Sequence, residues 1–153
     1  MTVERQKAIP ALDTPGGHET PGTGPSRAGR RRLLLTLQLG TGACALAGGV
    51  LLMVAPDGSL LQADPSVLEG TPFADWRMPG ILLTILVGGG LLAAGSWQWH
   101  RRPHARAVSM LAGLGLIAFE AAELAWIGFQ PLEGAFALVG AVIFGLSVLE
   151  TRP

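Results

Sequence analysis

The chain has 153 residues, of which 49% are hydrophobic and 14% charged, with eleven Lys+Arg against eleven Asp+Glu. A soluble core of this size needs more polar covering than that composition supplies. A single cysteine, Cys44, excludes an intramolecular disulfide, a CxxC redox pair and a cysteine metal cluster.

Charge distribution says more than net charge. The mean hydropathy is +0.43, and the charged residues almost entirely avoid four long apolar runs. Residues 1–32 form an Arg-rich tail. "PALDTPGGHETPGTGPSRAGRRR" is dense in Pro, Gly, Ser and Thr and has no apolar periodicity, so disorder is expected. The tail ends in Arg27, Arg30, Arg31 and Arg32.

The first apolar run, 33–55, carries no charge and is long enough to cross a bilayer core, which takes about 20 helical residues. "PDG" at 56–58 stops it. An outer loop follows at 56–79. Within it "DPSVLEG" reads as a short helix with Asp64 as N-cap, Pro65 at the first position and Gly70 as the stop. "TPFADW" repeats that logic with Thr71 and Pro72. Leu60, Leu61, Val67, Leu68, Phe73 and Trp76 are costly to leave in water, so the loop is expected to close the bundle as a lid or to form a binding surface at the membrane. The second run spans about 80–99, the third 105–127 and the fourth, the shortest, 132–149.

Only helices and closed barrels satisfy every backbone polar group inside lipid, and these runs are too long and too unalternating for barrel strands. The fold class expected is an all-α membrane protein, a four-transmembrane-helix bundle over 33–150. Arginines mark the tail and the second connection (Arg101, Arg102, Arg106), while the first connection holds Asp57, Asp64, Glu69 and Asp75 against Arg77. The positive-inside rule then places both termini in the cytoplasm. Trp97 and Trp99 fall at the inner boundary, Trp76 and Trp126 at the outer, as an aromatic belt. The alternative is a cleaved N-terminal signal, "RRRLLLTLQLGTGACALA" with Ala45-Leu46-Ala47 as the cleavage site, leaving three spans.

"PDGSLLQ", "LEGTPFADWRMPGILL" and "WIGFQPLEGAF" together resemble a family of small four-span bacterial integral membrane proteins over residues 33–149. The resemblance implies topology and a plasma-membrane location. It implies no activity.

Small residues spaced by four line helix faces: Gly40, Cys44 and Gly48; Thr41, Ala45 and Gly49; Gly90 and Ala94; Ala118 and Ala122; Ala137, Ala141 and Gly145. They are expected to let the helices pack closely, or to form a homo-oligomer seam. "GGG" at 88–90 reads as a close-contact or flexible point.

"LIAFEAAELAWIGF", 116–129, holds two carboxylates in a run that otherwise belongs in oil. Glu123 is expected ~6 Å and Glu120 ~10 Å inside the outer boundary, at ~1.5 Å per residue, on one face. An acid at mid-span costs roughly 2.5–3.5 kcal/mol, so both should face the interior and seek partners. The expected polar cluster is Arg77, Thr84, Glu120, Glu123 and Gln130, with Glu133 at similar depth and Gln38 excluded as too near the inner end. Two like charges in low dielectric do not both ionise cheaply, and Glu120 is expected to keep its proton.

Histidines occur at 18, 100 and 104, outside the spans, which excludes a bis-His haem site. No HExxH, Walker or Ser-His pattern is present. No catalytic, cofactor-binding or metal residue is nominated, no cofactor is expected, and the expected partners are lipid, another membrane protein or a second copy, with no nucleic acid. The function expected is an accessory or interaction role, with a proton-coupled transporter or channel subunit using Glu120 and Glu123 as the alternative.

Overall fold

The computed structural model describes residues 26–128 and 131–150. Four long helices run up and down. Helix α1 is Arg27–Val54. Helix α2 spans Arg77–Trp99, its middle, Leu83–Gly89, being wound as π-helix. Helix α3 is Ala105–Ile127 and α4 is Pro131–Leu149. A 3-10 turn, Pro65–Leu68, lies in the loop between α1 and α2.

All four helices are long and apolar enough to cross a membrane. Little of that apolar surface is covered from within. Only 17% of the fourth apolar window and 39% of the second lie buried in the bundle. Ile85, Leu86, Leu111, Leu132 and Leu138 are each 60% exposed or more. An apolar belt this continuous is stable only where lipid surrounds it, so the chain is a multi-pass membrane protein. The fourth span has 18 residues, which at ~1.5 Å each gives ~27 Å, just under the bilayer core.

Helix α1 begins six residues before the first apolar run. The Ser26 hydroxyl accepts the Gly29 N–H at 3.2 Å, a standard N-cap. Arginine is a good helix former, so Arg27 to Arg32 join the helix and leave the expected tail. The rest of that tail, 1–25, lies outside the described residues.

The interior seam joins Leu34 and Ala45 of α1 to Val87 and Leu91 of α2, Leu116 of α3 and Ile143 of α4. Glycines set how closely the helices approach. A Cβ on Gly49 would stand 2.6 Å from the Gly80 carbonyl oxygen. One on Gly113 would stand 2.9 Å from the Gly140 carbonyl. Two antiparallel hairpins, α1/α2 and α3/α4, are each closed by such a pair. Of the two small-residue registers on α1, Ala45 and Gly49 face inward, whereas Gly40 and Cys44 are exposed. On α3, Ala118 and Ala122 also face outward, and Gly113 makes the contact instead. In the "GGG" run, Gly88 packs against Leu46 of α1, at 3.0 Å from a built Cβ, while Gly90 meets open space.

The loop folds back as a lid. Asp64 Oδ1 accepts the Ser66 N–H at 2.9 Å and caps the 3-10 turn. Thr71 starts no second helix: its hydroxyl donates to the Leu68 carbonyl at 2.7 Å and accepts the Phe73 N–H. That local turn competes with helix, as threonine often does. Leu68 and Trp76 are buried against Leu52 of α1. Trp76 therefore leaves the expected aromatic belt and serves as the lid's core, while Trp97, Trp99 and Trp126 remain exposed. Phe73 meets Trp126 of α3 edge to face, ring centres 5.6 Å apart.

Candidate functional sites at the two ends of the bundle

Polar chemistry gathers at opposite ends. The lid end carries the glutamates. Glu120 is 5% exposed and its Oε2 has no hydrogen-bond partner. The charged groups facing it are Glu123 and Glu133. Glu133 enters from the first turn of α4 and is also buried. Glu120 and Glu133 line a recess of about 180 Å³ between α3 and α4, with Ile117, Ala121, Leu124 and Ala137 as apolar walls.

Glu120 and Glu123 therefore come together, as their spacing requires. Glu133, the candidate at similar depth, joins them; Gln130 lies outside the described residues. Thr84 faces the other way. Its hydroxyl lies over Gly49 of α1, buried and without a partner. Arg77 is exposed at the start of α2, its backbone N–H donating to Asp75 at 2.9 Å, and it is not among the charges facing Glu120 or Glu123. Arg77 and Thr84 belong to α2, which packs on α1, whereas the glutamates occupy the α3/α4 hairpin.

Outside the spans, two loop carboxylates are held below their usual range. The Ser59 hydroxyl and then its N–H hold Asp57 down. The Ser66 N–H does so for Asp64.

The other end carries arginines and the larger opening. A groove of about 900 Å³ is walled by Arg27, Arg30, Arg31, Arg102 and Arg106, with Glu150 opposite. Two of the arginines also serve the fold. Arg31 Nη2 donates to the carbonyls of Gln98 and Trp99 at 2.9 and 3.1 Å, closing the end of α2. Arg106 donates to the carbonyls of Ser147 and Val148, each at 3.0 Å, closing the end of α4. Helix C-termini leave such carbonyls unsatisfied and carry partial negative charge. Arg102 lies over the Trp97 ring, 5.3 Å from its centre. The Gln98 amide donates to both Glu150 oxygens, at 2.8 and 2.9 Å.

Sequence reasoning read these arginines as topological markers and missed the groove. Each is ordinary in its own connection. Only the antiparallel packing of four helix ends places them around one space. Gln38 and Ser109 are fully buried in the bundle with side-chain polar atoms unpartnered. The Ser147 hydroxyl is satisfied locally by the Ile143 carbonyl at 2.7 Å.

Among the described residues, no three His, Cys, Asp or Glu side chains converge to hold a metal ion. No family model, curated protein or solved structure matches this chain. Its class is therefore defined by its own geometry: a four-helix membrane bundle with an acid recess at one end and an arginine groove at the other.

Proposed function

We propose that the protein is an interaction or accessory protein of the bacterial plasma membrane, with both termini in the cytoplasm and the arginine groove as the face that docks an anionic partner. One observation carries the reading. Among the described residues, Arg27, Arg31, Arg102 and Arg106 share a groove of about 900 Å³ with one carboxylate, Glu150, and that carboxylate already accepts the Gln98 amide on both oxygens. Like charges so disposed attract an anion and steer its approach. The arginine excess also supports the cytoplasmic assignment of this end, and the resemblance to small four-span bacterial proteins agrees with it.

Orientation is tested in a Cys44→Ala background. A cysteine at Leu60 should react with a membrane-impermeant reagent from outside, and one at Ala28 should not. Docking is tested with a photo-crosslinking residue at Ala107, which lines the groove. A discrete adduct is expected in cells, lost when Arg27 and Arg102 are changed to Glu. An adduct that survives the charge reversal overturns the reading.

A second reading, proton or cation handling, is favoured by the unpartnered Oε2 of Glu120 at a recess shared with Glu133. Intramembrane carboxylates facing an interior space commonly serve proton relays. Vesicles of the purified protein should then show internal pH change under a proton gradient, abolished by Glu120→Gln. An absence of flux in the parent protein removes this reading and leaves the glutamates a structural network.

A further inference from the structure

We infer that the arginine groove binds the phosphate head group of an anionic phospholipid taken from the surrounding leaflet. The inference rests on the reading of this groove as the docking face and names its ligand.

The charge of the groove calls for a phosphate. Arg27, Arg30, Arg31, Arg102 and Arg106 line it. Arg31 and Arg106 are anchored by the carbonyls that end α2 and α4. They project their charge into the groove from fixed positions. Arg102 is steadied over Trp97, and Arg27 stands exposed in the first turn of α1. Guanidiniums match phosphate oxygens through paired N–H donors.

The backbone adds to that field. Helix α3 begins inside the groove, with Ala105, Arg106 and Ala107 in its wall. His104 gives it no side-chain cap, and its first turn contains no acid. The Ala105 N–H donates to the Arg102 carbonyl at 3.2 Å, and the positive end of the helix still favours an anion. The carbonyl ends of α2 and α4, which would repel one, are the ends covered by Arg31 and Arg106.

Position separates a lipid from a soluble anion. The groove lies at the end of the bundle where all four apolar spans stop, and a span of bilayer length ends near the head groups. Its wall includes Met110, and the next residue on α3, Leu111, is 68% exposed, with Leu114 exposed one turn deeper. A head group seated on the arginines would lay its acyl chains along that apolar face. A free phosphate gains nothing from it. Basic pockets between helix ends on the cytoplasmic side are suited to anionic head groups.

The test uses the full chain in nanodiscs of phosphatidylcholine with phosphatidylglycerol or cardiolipin, with lipid retention read by native mass spectrometry and competition between lipids. The parent should retain the anionic lipid over phosphatidylcholine. Changing Arg27 and Arg102 to Gln should weaken retention by roughly 25-fold, at roughly fivefold for each arginine near the head groups. Changing Arg32 and Arg101 to Gln removes the same charge from the same end but outside the groove, and should leave most of the retention intact.

Equal retention of anionic and zwitterionic lipid overturns the inference. So does an equal loss in the two double variants, which reduces the effect to general surface attraction. Displacement of the lipid by inorganic pyrophosphate at matched concentration also overturns it, making the groove a site for soluble anions. If the Ala107 adduct is to a protein and survives without lipid retention, the docking reading stands and this inference alone falls.

Discussion

Gly49 and Gly40 lie on the same helix, nine residues apart, and the structure assigns them opposite responses to one methyl group. At Gly49 a Cβ meets the Thr84 hydroxyl, the Gly80 carbonyl oxygen at 2.6 Å and the Thr84 N at 2.9 Å. Two of those three atoms are backbone, so no side-chain rotation relieves the clash, and α1 and α2 must move apart. Overpacking of this kind costs about 1–3 kcal/mol. At Gly40 nothing lies within 4 Å, and replacing a mid-helix glycine by alanine returns about 0.5–1 kcal/mol of helix propensity. The same propensity gain applies at Gly49 and cancels in the comparison, so the two alanine variants should differ by the clash alone, about 1–3 kcal/mol in unfolding free energy. Denaturant unfolding in mixed micelles, followed by near-ultraviolet circular dichroism, measures the difference. If Gly49→Ala proves as stable as Gly40→Ala, the close α1/α2 approach, and the reasoning from it, is refuted.

Three further outcomes are expected. Removing Phe73 and Trp126 singly and together to Ala should reveal a coupling of about 0.5–1.5 kcal/mol, the worth of an edge-to-face pair beyond its buried area; a coupling of zero would detach the lid from α3. Arg106→Gln should loosen the end of α4 by about 1 kcal/mol, since a charged donor to its last carbonyls is lost at a partly exposed site, and hydrogen exchange at the Glu150 amide, which donates to Leu146 at 3.1 Å, should quicken while that of mid-α4 does not. The lid should respond to acid in a defined direction. Asp57 and Asp64 are held below their ordinary range in the fold by hydrogen bonds from Ser59 and Ser66. Their contribution is thus present above about pH 4, the unfolded carboxylate value, and lost as pH falls through the lower folded values. Tryptophan fluorescence of the lid should hold steady from neutral to about pH 4 and change below it. Asp64→Asn, which keeps an N-cap acceptor but cannot titrate, should remove part of that change.

The sequence by itself determined what one chain segment settles alone. Four apolar runs of bilayer length specify four helices. Asp64 before Pro65 specifies the capped turn, and the three-residue spacing of Glu120 and Glu123 specifies a shared face. Each depends on neighbours within one or two turns, so each can be read locally. Only the tertiary structure decided which faces meet. It chose Ala45 and Gly49 over Gly40 and Cys44 as the inner register of α1, placed Glu133 beside Glu120, turned Thr84 toward α1 and drew Trp76 out of the interface into the lid. It also gathered arginines from α1, the α2–α3 connection and α3 around one groove. In a bilayer the apolar surface of a helix is about equally stable against lipid tails or a neighbouring helix, so hydropathy cannot say which side turns inward. That choice is made by the fit of backbones at glycine pairs and by the few polar groups that must find each other, and both are properties of two helices at once.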